Sequence, residues 1–115
     1  MATLTKAELR ARVLQHLGIV GVGHSASAAD AALVDEAIDA AHARLRKFGL
    51  VPFATSAIPE YAQQQLRDYV AGEVSLSFGH PRFAELKAAQ MVAERELQRQ
   101  VAGYRHSLPI EAENF

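Results

Sequence analysis

The side chains able to do chemistry in this sequence are spread too thinly to do it together. Five histidines, His16, His24, His42, His80 and His106, form no H-x-x-x-H or H-E-x-x-H pair. Metal ligation from a helix wants two such side chains one turn apart, so isolated surface or loop histidines are expected. The chain has no cysteine, which excludes disulfides, thiolate zinc sites, iron–sulfur clusters and a cysteine nucleophile. Gly23-His24-Ser25-Ala26-Ser27 begins like a nucleophile elbow but lacks the closing glycine, and no buried strand precedes it to make the turn sharp. The loop GIVGVGHSAS over 18–27 spaces its glycines as G-x-x-G-x-G, follows a helix and is not followed by a Lys-Ser/Thr pair. A phosphate cradle needs a strand–loop–helix setting so that amides converge on the ligand, so this stretch is read as an inter-helix connection. Asp35 and Asp39 are i,i+4 neighbours with Glu36 between them. Paired carboxylates do acid–base work only when burial separates their pKa values, and beside so many alanines these three read as a solvated face. The expectation is a protein that is not an enzyme, with no catalytic residue, cofactor or metal.

The elements that carry these residues are helical. Thr5 and Glu8 form a T-x-x-E capping box, with Leu4 placed to staple onto Leu9. Leu9, Val13, Leu14 and Leu17 follow as a narrow stripe up to Gly18, predicting a first helix over 6–17. Ser27 and Asp30 open a second helix over 28–48, with Val34, Ala37, Ile38, Ala41, Leu45 and Phe48 on one stripe and Gly49 as its stop. Its acids sit early and Arg44, Arg46 and Lys47 sit late, complementing the helix dipole. Residues 50–58 (LVPFATSAI) read as an extended segment or a short edge strand, Pro52 arguing against a central one. Pro59 fits the first position of a third helix bearing Tyr61, Leu66, Tyr69, Val70, Val74 and Phe78 up to Gly79. Pro81 opens a fourth, with Phe83, Leu86, Ala89 or Gln90, Ala93, Leu97 and Val101 on its stripe and Glu96 and Arg99 placed to pair at i,i+3. A helix over 82–102 is about 31 Å long. That is long for a thin four-helix domain, so part of it is expected to pack on another chain. Tyr104 to Phe115 (YRHSLPIEAENF) lacks helical periodicity and contains Pro109, yet is apolar at Tyr104, Leu108, Ile110 and Phe115. It reads either as a frayed terminus or, the reading preferred, as an extended arm that orders against a partner.

Composition bounds the rest. A length of 115 residues suits one domain, and an apolar fraction of 50% dominated by alanine predicts closely packed helices around a thin core. No apolar run approaches the roughly 18 residues that span a bilayer, and the first residues have no signal-peptide core, so no membrane partner and a cytoplasmic site of synthesis are expected. The net charge of −1 argues against a free-standing nucleic-acid binder. Arg44, Arg46 and Lys47, with Arg10 and Arg12, nonetheless make small basic clusters. The ten-residue loop after the first helix is too long for a helix-turn-helix, but a ring of copies multiplies a few charges into a basic collar. A small helical DNA-binding or regulatory module is the alternative reading.

The succession of features resembles a known family. A capped helix ends in Leu17-Gly18, and an Ala- and Asp-rich helix ends in Phe48-Gly49. An extended segment closes in Ile58-Pro59-Glu60, and a helix with Tyr69-Val70-Ala71 ends in Phe78-Gly79. The last long helix carries Ala93-Glu94-Arg95-Glu96-Leu97. Over residues 5–102 this resembles the head–tail adaptor (connector, or head-completion) proteins of tailed bacteriophages and phage-derived gene transfer agents. The resemblance implies a structural virion protein at the head–tail interface, a homo-oligomeric ring of usually twelve copies beneath the portal protein. It further implies a prolonged DNA channel, retention of packaged DNA through non-specific contact, and a surface for the next tail-side component, such as a stopper or tail terminator. The matching fold is all-α: a four-helix bundle-like adaptor domain over 1–103, with the short extended segment between the second and third helices, and an extended arm over 104–115. By position, the resemblance assigns portal contact to Tyr104, Leu108, Ile110 and Phe115. Arg44, Arg46 and Lys47 are the candidates to face DNA.

Overall fold

The computed structural model describes residues 3–21 and 24–106, the last four by backbone alone. Four helices follow one another: α1 (Lys6–His16), α2 (Ala28–Lys47), α3 (Glu60–Ser75) and α4 (Phe83–His106). The fold is all-α and bundle-like, and no strand occurs among the described residues. The capping box forms as expected: the Thr5 hydroxyl accepts from the Glu8 N–H, and the Glu8 carboxylate accepts from the Thr5 N–H at 2.9 Å. Ser27 caps α2 by accepting from the Asp30 N–H at 3.2 Å. α1, α2 and the turn after α3 all stop the same way. Gly18, Gly49 and Gly79 take positive φ, and the N–H of the next residue reaches back to the carbonyl of Leu14, Leu45 or Ser75. This closing pattern needs a left-handed residue, which glycine supplies without a Cβ clash.

The segment between α2 and α3 resolves the choice between extended chain and edge strand. Leu4 and Ile58 exchange two backbone hydrogen bonds, 2.9 and 2.8 Å, in a single antiparallel bridge. Leu50, Val51 and Ile58 are buried there while Pro52 is exposed. Pro59 is the residue before α3 rather than its first helical residue, because its ψ of 157° is extended. α3 ends at Ser75, and Leu76–Phe78 continue as a turn. α4 begins at Phe83, two residues after Pro81, because the His80 ring occupies the place of a cap: its Nδ1 accepts from the Arg82 N–H at 3.1 Å. At the other end α4 runs three residues past Gly103 to His106. Tyr104 therefore belongs to the backbone of α4 and not to an extended arm. The expected stretch 107–115, with Leu108, Ile110 and Phe115, lies outside the described residues.

α3 is the hub. It packs against α1, α2 and α4, whereas among the described residues α4 packs on α3 and on no other helix. The core runs from Leu9, Val13 and Leu14 through Val34, Ile38 and Leu45 to Leu66, Tyr69, Val70 and Val74, and on to Leu86, Ala93 and Leu97. α3 and α4 approach closely because residue 72 is glycine. A Cβ there would stand 2.5 Å from Gln90 Cβ and 2.9 Å from the Leu86 carbonyl oxygen. Two aromatic residues placed on core stripes are instead outward: Phe48 is 61% and Tyr61 51% exposed. Phe48 follows the last helical turn of α2. Tyr61 keeps only an edge-on contact with Phe53, ring centroids 6.2 Å apart.

Candidate functional site

Arg44, Arg46 and Lys47 do not act as one basic patch. Arg44, its side chain 46% exposed, reaches across to α3, its Nη1 donating to Tyr69 Oη at 2.8 Å and to Glu73 Oε1 at 3.2 Å, with its guanidinium carbon 6.0 Å from the Tyr69 ring centre. Glu73 also accepts from Gln90 Nε2, and Gln90 Oε1 accepts from Lys87 Nζ at 3.1 Å. One polar chain thus links α2, α3 and α4. Burial alone would raise the Glu73 carboxyl. Hydrogen bonds from Gln90 and Arg44, helped by the charges of Arg44 and Lys87, outweigh it and hold the group below its ordinary value. Arg46 and Lys47 remain exposed, and no ion pair among the described residues engages them. Of the three expected DNA-facing cations, Arg44 is thus paired with Glu73 while Arg46 and Lys47 are not ion-paired among the described residues.

Asp35 and Asp39 correct the expectation of a merely solvated acidic face. Arg10 Nη1 lies 2.8 Å from Asp35 Oδ2 and Lys6 Nζ 2.8 Å from Asp39 Oδ1. Each partner pair is spaced i,i+4 on its own helix, so the two bridges clamp α1 antiparallel to α2. That matching spacing of opposite charges was the sequence signal for the clamp. Asp35 Oδ1 is left buried without a partner. A cavity of about 240 Å³ sits between α1, the following loop and α2, lined by Arg10, Leu14, Gln15, Val20, His24 and Ser25 among others. Its one cation, Arg10, is already committed to Asp35. The Ile19 and Val20 amides both point back to the Leu14 carbonyl, so they are not presented to a phosphate. Among the described residues no group of three or more His, Asp or Glu could hold a metal ion, and no helix is long and apolar enough to cross a membrane.

Three histidines have specific positions that their spacing did not announce. His42 Nε2 lies 2.7 Å from the Phe53 carbonyl oxygen, tying α2 to the extended segment. His80 Nε2 lies 2.8 Å from the Leu17 carbonyl oxygen, while its Nδ1 accepts from Arg82. His80 thereby ties the end of α1 to the start of α4. His16 stands nearby, 3.7 Å from Asp68, whose carboxylate is held by Arg67 at 2.9 Å. Burial pushes the His16 pKa below its ordinary 6.5. The charges of Arg67, Arg82 and His80 act in the same direction, against Asp68. A histidine kept neutral in this way contributes stability that is fully present above the unfolded value and lost as pH falls from there through the lowered folded value, because the unfolded chain takes up a proton that the folded chain resists. The urea midpoint should therefore fall between about pH 7.5 and about pH 5.5, and His16→Gln should flatten that slope. An unchanged slope in the variant would contradict the assignment.

α4 also leaves apolar surface uncovered. Its outward face carries Ala84, Ala88, Met91 and Val92, the last two 59% and 61% exposed. Beyond it, Glu96 and Arg99 pair as their spacing predicts. Comparisons with protein-family models, with curated proteins and with solved structures find no match to the chain.

Proposed function

We propose that this chain is a non-enzymatic structural protein of a virion, a subunit of a ring between portal and tail that extends the DNA channel and helps retain packaged DNA. The observation that carries the reading is α4: a helix of 24 residues held by a single neighbouring helix, with Met91 and Val92 facing outward. Such a face is what a chain leaves open when neighbouring copies complete its packing. In the ring, Arg46 of each of about twelve copies approaches packaged DNA. The small net charge of −1 lets DNA slide past without adhering strongly. The end of α4 at Tyr104, with Leu108, Ile110 and Phe115 beyond it, takes the portal protein, and the opposite rim takes a tail-side component such as a stopper or tail terminator. The protein is made in the cytoplasm of a bacterial host and functions at the head–tail interface of a phage or gene transfer agent.

Mixing the full chain with the portal protein of the same particle should give rings seated on the portal by negative-stain microscopy. Truncation after His106 should keep the helical circular dichroism and abolish docking. Persistent monomer with no portal binding would overturn the reading. The exposure of Arg46 and Lys47 favours one other reading, a small DNA-binding module. Steeply salt-dependent binding of DNA by the isolated chain would put that reading in place of the ring.

A further inference from the structure

Two helix faces on separate flanks of α3 are open, and they match each other. The outward face of α4 presents Glu85, then Ala88 and Val92, then Arg95; the outward face of α2 presents Glu36, then Ala40 and Ala43, then Lys47. All eight residues are exposed, and no ion pair among the described residues engages Glu36, Lys47, Glu85 or Arg95. Glu85 to Arg95 spans about 15 Å along α4, and Glu36 to Lys47 about 16 Å along α2. When the two faces are laid together antiparallel, Lys47 meets Glu85, Ala43 meets Ala88, Ala40 meets Val92 and Glu36 meets Arg95. Within the same overlap, the residues brought together lie on matching sides of the contact line, since i,i+4 and i,i+7 neighbours share a helix face. The parallel arrangement sets Glu36 on Glu85 and Lys47 on Arg95, so like charges forbid it.

We propose that the outward face of α4 in one copy seats on the outward face of α2 in the next, in this antiparallel register. The occupant of the apolar α4 face is a second copy of this chain. The alanines of α2 form a shallow surface that admits Met91 and Val92, and the two end charges on each helix set direction. The contact is heterologous, so each copy offers α4 to one neighbour and α2 to the other, and repetition builds a ring where the rotation closes. This contact rests on the reading of the chain as a self-assembling ring subunit and supplies that ring's interface. It also places Lys47 between subunits, leaving Arg46 for DNA.

The absence of native cysteine makes the test site-specific. A mixture of A43C and A88C chains should form a covalent dimer on mild oxidation, each variant alone should not, and A43C/A88C on one chain should give a ladder. By sedimentation, E36R or R95E should weaken self-association by about tenfold or more, and E36R/R95E should restore it. Cross-linking of A88C alone, or indifference of assembly to E36R, overturns this interface; where the unmodified chain still forms portal-bound rings, only the interface falls. Cross-linking and charge rescue without portal binding sustain the interface and remove the adaptor reading. A chain that stays monomeric with and without portal removes both.

Discussion

Replacing Tyr69 by alanine lowers the stability of the fold by about 3–5 kcal/mol, the usual cost of emptying a large buried aromatic site. Tyr69 is 2% exposed and is the largest of the fully buried side chains. It sits on α3, the helix that every other helix needs. Its ring fills the core and its hydroxyl accepts from Arg44 at 2.8 Å, so the alanine variant leaves both a cavity and a guanidinium short of one acceptor. Domains of this size are stable by roughly 5–15 kcal/mol, so the loss removes a large share of the total. Tyr69→Phe separates the two contributions: it keeps the ring, loses the hydroxyl, and should cost only about 1 kcal/mol because Arg44 retains Glu73. Urea unfolding followed by circular dichroism reads both. Equal losses in the two variants would show that the hydroxyl rather than the ring carries the site.

Gly72→Ala is the second large change, and its sign is the informative part. In an exposed helix, alanine for glycine gains nearly 1 kcal/mol. Here the added methyl would lie 2.5 Å from Gln90 Cβ and 2.9 Å from the Leu86 carbonyl oxygen. Neither atom is the free end of a long side chain, so relief requires α4 to move bodily away from α3. The net cost should be about 1–3 kcal/mol despite the propensity gain, and Gly72→Leu should detach α4. A cycle with Gln90→Gly checks the mechanism, since deleting Gln90 Cβ should recover part of the loss and the Leu86 carbonyl should prevent full recovery. A neutral or stabilising Gly72→Ala would mean that the helices are not in contact at this point.

The local chemistry of this fold was legible in the chain and the long-range chemistry was not. Thr5 with Glu8, Ser27 with Asp30, and the glycines at 18, 49 and 79 act on neighbours a few residues away, so their spacing carries their meaning. The role of Gly72 depends on Gln90, and that of His80 on Leu17, partners 18 and 63 positions distant. Periodicity cannot disclose such pairings. It also overextended two apolar stripes to Phe48 and Tyr61, because both residues continue the spacing while the helices they must cover end or turn away. Arg44 was indistinguishable from Arg46 and Lys47 by composition. Only the position of Glu73 on the crossing helix separates the ion-paired cation from the unpaired ones. The apolar outward face of α4 was foreshadowed by the length of the helix alone, since a stripe analysis follows the buried side.

The attachment of α4 to α3 alone has a consequence for how the molecule opens. α4 has one helical neighbour, but that pairing is the most extensive in the fold, so its amides should exchange with solvent only through an opening that gives up much of the core. In the assembly proposed above, a neighbour bound on the outer face of α4 would tie that opening to assembly by mass action. Stability in this chain is therefore apportioned unevenly, with the α3–α4 pairing carrying the largest share of the helix contacts.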